Sequence, residues 1–177
     1  MHTLAAWANF YVIIGSSAAA LTGLVFVVIT LTSRANTSGE GVAIFSTPTG
    51  VYFGKALFIA AVLSAPWPAL GVPGTLIGIA GVVGLLYAIT VLLRSRRLRT
   101  YTPDFEDRLW YMVMPPLTYV AVVVGAVLLL VSPRAGLYML AATSLGLIFM
   151  GIRNAWDVVT YVAIIDPRSD EEPDPGD

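Results

Sequence analysis

Residues 7–32 read WANFYVIIGSSAAALTGLVFVVITLT, a run without one charged side chain. About 20 helical residues cross the hydrocarbon core of a bilayer, so this run alone is long enough. Lipid offers backbone N–H and C=O groups no partners, which makes a spanning segment of this kind an α-helix. Residues 1–9 carry no Lys or Arg, whereas a cleaved signal peptide wants a positive start and an apolar core of roughly 7–15 residues. The run reads as a retained first span.

Four more apolar stretches follow, over residues 48–66, 74–93, 109–131 and 135–165. Thr47 and Pro48 read as the cap and first residue of the second helix. Pro66 and Pro68 stop it, because proline lacks a donor and forces extended backbone before it. Thr102-Pro103 repeats the start signal for the fourth helix, with Asp104, Glu106 and Asp107 suited to the positive end of the helix dipole. Ser132-Pro133 and Asp166-Pro167 read as the later stops. The expected fold is all-α, an integral membrane bundle of five transmembrane helices over residues 1–166. Residues 167–177, with Asp170, Glu171, Glu172, Asp174 and Asp177, read as a disordered acidic tail.

Composition agrees. The chain has 177 residues, 57% hydrophobic and 12% charged, and its mean hydropathy is +0.80. Soluble domains carry about 25% charged residues. Cysteine is absent and His2 is the single histidine, so neither a thiolate nor a histidine metal site can be assembled; no metal and no cofactor are expected. No His-containing triad, P-loop, HExxH or pair of membrane aspartates is present, and no enzyme activity is expected. Nucleic acid is excluded as a partner by the lack of a basic stretch with interleaved aromatics.

Orientation follows from positive charge beside the spans. Arg94, Arg96, Arg97, Arg99 and Arg108 lie between the third and fourth runs, while residues 67–73 carry no charge. The first loop is expected in the cytoplasm, with the N-terminus outside and the C-terminus inside; Arg134 in the short outer turn dissents mildly. Trp7, Trp67, Trp110 and Trp156 fall near span ends, as an interfacial aromatic belt would.

Gly15, Ala19 and Gly23 recur every four residues and share one face of the first helix, where small residues admit a close neighbour. Gly50 and Gly54, then Gly78, Gly81 and Gly84, offer similar faces, as does Gly146 in the last helix. These read as packing within the bundle first and as a dimer surface second.

The last run contains Gly151-Ile152-Arg153-Asn154-Ala155-Trp156-Asp157. Charges at membrane depth cost about 2.5–3.5 kcal/mol even on lenient scales, so they are paired, buried in protein or facing water. At 100° per residue Ala142, Gly146, Met150, Arg153, Asp157, Thr160 and Tyr161 share a face, which is expected to point into protein. Lys55, about eight residues from the expected inner end of the second span, is placed at the depth of Asp157. Lys55, Arg153, Asn154 and Asp157 thus form an expected buried polar network. A kink at Pro115 and Pro116 would free the carbonyls of Tyr111 and Met112 nearby. The network reads either as the fastening that docks the last helix or as a site for an ion, anionic headgroup or proton. Lys55 has the further option of snorkelling to the interface.

The first run, with Trp7-Ala8-Asn9-Phe10-Tyr11 and the Gly15 to Val27 stretch, resembles a group of small bacterial multi-pass membrane proteins, as does the Gly151 to Asp157 segment. The resemblance covers the first and last spans and implies a bacterial cytoplasmic-membrane location without an activity. The expected role is a non-enzymatic accessory or interaction protein, with the lipid bilayer and a homo-oligomer or membrane-protein partner around it. The alternative is a small oligomeric ion channel or transporter using the Lys55, Arg153 and Asp157 layer.

Overall fold

The computed structural model describes residues 2–34, 39–95 and 108–165, and these are helical apart from the connections. A short α1 (His2–Ala5) precedes five long helices: α2 (Ala8–Arg34), α3 (Gly39–Ser64), α4 (Gly71–Ser95), α5 (Met114–Val131) and α6 (Pro133–Ile165). A π-helical turn, Arg108–Val113, leads into α5. Arg96, Arg97, Arg99, Thr102-Pro103 and the 167–177 tail lie outside the described residues.

Four helices are long and apolar enough to cross a membrane, with spans Ala8–Thr30, Gly71–Leu93, Met114–Val131 and Pro133–Asp157. In α3 the apolar part is the shorter Pro48–Ser64. Large apolar side chains such as Ile13, Phe26, Ile79, Leu86, Leu130 and Phe149 stand exposed on these helices. Soluble monomers rarely present so broad an apolar surface; lipid contact explains it.

The helices pack in the spatial order α2, α3, α6, α5, α4, and each neighbour in that series makes an extensive contact. By contrast α3 and α4, consecutive in the chain, touch only lightly. Small residues fix the close approaches. A Cβ at Gly84 would run into the Tyr119 ring, one at Gly81 would stand 2.9 Å from Val123, and one at Gly74 2.9 Å from Leu130, so α4 and α5 meet nearly backbone to side chain. Gly125 meets Leu140 in the same way between α5 and α6. The core between them is apolar, with Ile59, Ile77, Leu129, Leu137, Leu140 and Leu147 almost fully buried.

At one end of the bundle lie the connection after Ser64, the α5–α6 turn and the start of α2. There Trp7 packs edge-on to Tyr138 at 4.8 Å between ring centroids, and Tyr11 donates its hydroxyl proton to the Leu137 carbonyl at 3.1 Å. Trp67 Nε1 donates to the Val62 carbonyl at 2.6 Å, capping the end of α3 just beyond Pro66.

One expectation about local structure is corrected. Thr47-Pro48 is not a helix start: α3 begins at Gly39 and runs through Pro48. A proline costs one ladder bond, but membrane helices tolerate it where neighbouring helices re-satisfy the freed groups. At Pro115 and Pro116 the helix changes type. They occupy the first turn of α5, immediately after the π-helical turn, where missing N–H groups cost least.

Candidate functional site

Thr49, Tyr52, Trp110, Arg153 and Asn154 come together away from the hairpin end, where α3, α6 and the π-helical turn converge. The antiparallel register of α3 and α6 is set by two contacts. A Cβ at Gly151 would collide with the buried Phe53 ring, and one turn further the Asn154 side-chain amide donates to the Thr49 hydroxyl. Both Asn154 and Thr49 are buried, at 4% and 1% exposure. An amide and a hydroxyl at this depth each need a partner, since neither lipid nor an apolar core provides one; here they supply it to each other.

Beside this pair the Arg153 guanidinium stands over the Trp110 ring, 5.1 Å from its centroid. The attraction of a cation for the negative face of an aromatic ring grows as both leave water. Tyr52, Trp110, Met150, Arg153 and Asn154 line a small, partly open pocket of about 10 Å³, room for one water at most. Asp157 follows Arg153 by one helical turn and is half-buried. Thr118 on α5 reaches the Met150 sulfur at 3.9 Å.

The face of α6 expected to enter the protein is rotated from the one that does. Leu140, Ser144, Leu147, Gly151 and Asn154 are buried; of the expected face Met150 is buried, Gly146, Arg153 and Asp157 lie at the rim, Ala142 and Thr160 are exposed, and the Tyr161 side chain lies outside the described residues. The core side of α6 is chosen by its contact with two long helices at once, which favours the apolar and small stripe and leaves the charges on its flank. Asn154 alone of the cluster points to the centre of the α3 contact.

Lys55 does not join this layer. Its Nζ donates to the Ala80 carbonyl of α4 at 2.9 Å, on the opposite side of α3 from Phe53. Extending the register from the Phe53–Gly151 contact puts Lys55 level with Phe149, eight residues from Asp157, or about 12 Å at the rise of an α-helix. The expected depth failed because it was measured from a helix start at Pro48; α3 begins at Gly39, which puts Lys55 about twice as far from that end. Nor does Lys55 snorkel, since its ammonium stays at the level of Ala80, nine residues from the α4 start as Lys55 is from the α3 end.

The packing residues divide. Gly15 is a contact, with a Cβ there 3.3 Å from Ala60, but Gly23 and Gly146 have nothing within 4 Å. Ala19 and Gly23 are exposed, because α2 buries its Tyr11, Ile14 and Ala18 face instead. The tightest glycines are Gly84, Gly136 and Gly151; Gly81 and Gly84 belong to the α4 series expected to pack, whereas Gly50 and Gly54 have nothing within 4 Å.

Sequence reasoning missed Thr49, Tyr52 and Tyr119. Tyr52, Tyr87 and Tyr119 come from α3, α4 and α5 and lie within electrostatic reach of one another. The Tyr119 hydroxyl is buried and makes no hydrogen bond among the described residues. A buried hydroxyl without a partner costs about 1–3 kcal/mol. Tyr119→Phe, which keeps the ring against Gly84, is therefore expected to leave stability unchanged or raise it by about 1 kcal/mol; a loss of that size in a detergent unfolding titration would reveal a partner.

Comparison with protein-family models, with curated proteins and with solved structures finds no match. The class rests on the fold itself: a helical membrane bundle with a small polar cluster.

Proposed function

We propose that this chain is a non-enzymatic accessory or interaction protein of a bacterial cytoplasmic membrane, crossing it five times with the N-terminus outside and the C-terminus in the cytoplasm. The observation that carries this reading is how little space the described residues leave around Arg153. Among the described residues its pocket of about 10 Å³ has no space for an ion and its hydration shell. The core between it and the hairpin end is mainly apolar, with Ile59, Leu129, Leu137 and Leu140, and its buried Thr143 and Ser144 hydroxyls are turned onto the Leu140 carbonyl. A site for transport needs groups that replace hydration along the whole path. The cluster suits a fastening between α3 and α6 better. Positive charge between α4 and α5 supports the orientation, and the exposed length of α2 leaves surface for another membrane helix.

Reconstitution in liposomes tests the reading. Wild-type protein and Asp157→Asn are expected to leave ion flux at the level of empty vesicles. Flux in the wild type that Asp157→Asn abolishes would replace the proposal with the channel or transporter reading.

A further inference from the structure

Lys55 is a cation that the polar cluster does not use. It lies in a shallow groove between α3 and α4 lined by Val51, Gly54, Lys55, Phe58 and Ala80. The two helices touch only lightly, and a Cβ at Gly50 or Gly54 would meet nothing within 4 Å. The groove is thus open sideways, toward the membrane. An ammonium carries three donors, and among the described residues the Ala80 carbonyl receives one of them.

Depth makes this costly. Lys55 precedes the end of α3 by nine residues, about 14 Å along the axis, which is near the middle of a hydrocarbon core about 30 Å thick. A charge held there needs an acceptor of opposite sign or water. Small residues beside it allow a helix to approach closely.

We propose that the α3–α4 groove is a docking site for a transmembrane helix of another protein, one that carries an Asp or Glu carboxylate at the depth of Lys55. The proposal rests on the interaction-protein reading and names the partner's chemistry. Charge complementarity favours this occupant over a second copy of the chain. Copies related by a rotation about the membrane normal meet at equal depths. Asp157 is the one acidic residue in the five apolar stretches, and it lies about 12 Å from the level of Lys55. A second copy would bring Lys55 or apolar side chains to the groove and no counter-charge. Phosphate headgroups are disfavoured because they lie outside the hydrocarbon core, and the ammonium is turned onto Ala80 instead of toward them.

The test uses the full chain in phosphatidylcholine vesicles with a synthetic Leu/Ala helix of about 20 residues. The peptide carries one central Glu and a dansyl acceptor for the protein's tryptophans; matched peptides carry Gln or Leu. The Glu peptide is expected to associate about tenfold more tightly than the Gln peptide. Lys55→Met should erase that difference and Lys55→Arg should retain it. Equal association of the Glu and Gln peptides with wild type overturns the proposal, whatever the folding of the Met variant. So does a Glu preference that survives in a folded Lys55→Met protein. Self-association of labelled copies that Lys55→Met abolishes places a second copy in the groove and overturns it as well, as does displacement of the Glu peptide by phosphatidylglycerol. Ion flux in the same vesicles would instead strike the interaction reading, so the two failures are separable.

Discussion

Gly136→Val is expected to destabilise the bundle by more than about 3 kcal/mol, beyond the usual 1–3 kcal/mol of an overpacked core. The chain turns from α5 to α6 through Ser132 alone. Ser132 N–H donates to the Leu128 carbonyl at 2.7 Å, and Gly136 N–H donates to the Ser132 carbonyl at 3.0 Å. So tight a reversal presses the first turn of α6 against the last turn of α5. A Cβ at Gly136 would overlap the Leu129 backbone and lie 2.8 Å from the Leu128 carbonyl carbon. A side chain can rotate away from a newcomer, whereas helical backbone can yield only by moving the helix. The neighbouring Leu137 carbonyl accepts the Tyr11 hydroxyl, so a shift of α6 also loosens α2. Reversible unfolding in mixed lipid–detergent micelles measures the effect. A loss within about 0.5 kcal/mol, typical of surface changes, would mean the turn can relax and the close contact is not a constraint.

The second large effect belongs to Gly151→Leu. Here the obstacle is the Phe53 ring, which is 1% exposed and therefore has no vacant space to rotate into. The expected loss is about 3 kcal/mol, at the upper end for overpacking, and it should part α3 from α6 beside the Thr49–Asn154 bond. Gly146→Leu is the matched control on the same helix: nothing lies within 4 Å of a Cβ there, so its effect should stay within about 0.5 kcal/mol. Phe53→Ala combined with Gly151→Leu should recover part of the loss, since the cavity and the added side chain occupy the same volume. Equal effects at Gly146 and Gly151 would contradict the register of the two helices.

The long apolar runs were legible because their length and lack of charge answer one question, whether lipid can surround them. Pro66 and Pro133 were legible for a related reason, since a missing N–H acts locally. Pro48 shows where local rules stop. It sits inside α3, so its start signal was misleading, and the depth assigned to Lys55 went wrong with it. The cluster was legible in part: Arg153, Asn154 and Asp157 stood out as polar groups in an apolar run. Their partners did not. Thr49 and Tyr52 are ordinary residues in an apolar helix until α6 is laid against them, and Trp110 looked like one more interfacial aromatic before its ring was found over Arg153.

The sequence by itself determined the class: helices, their number within the apolar runs, and a membrane as their solvent, because these depend on each segment's own hydropathy and backbone needs. Only the tertiary structure decided which helix faces meet. Every long helix here is apolar nearly all round, so burial against protein and contact with lipid are close in energy and hydrophobic pattern cannot rank them. What ranks them is shape: Gly84, Gly136 and Gly151 lie where another helix presses in, while Gly23 and Gly146 do not. The same shape selection turned Asn154 toward Thr49 and left Lys55 on the open side of α3.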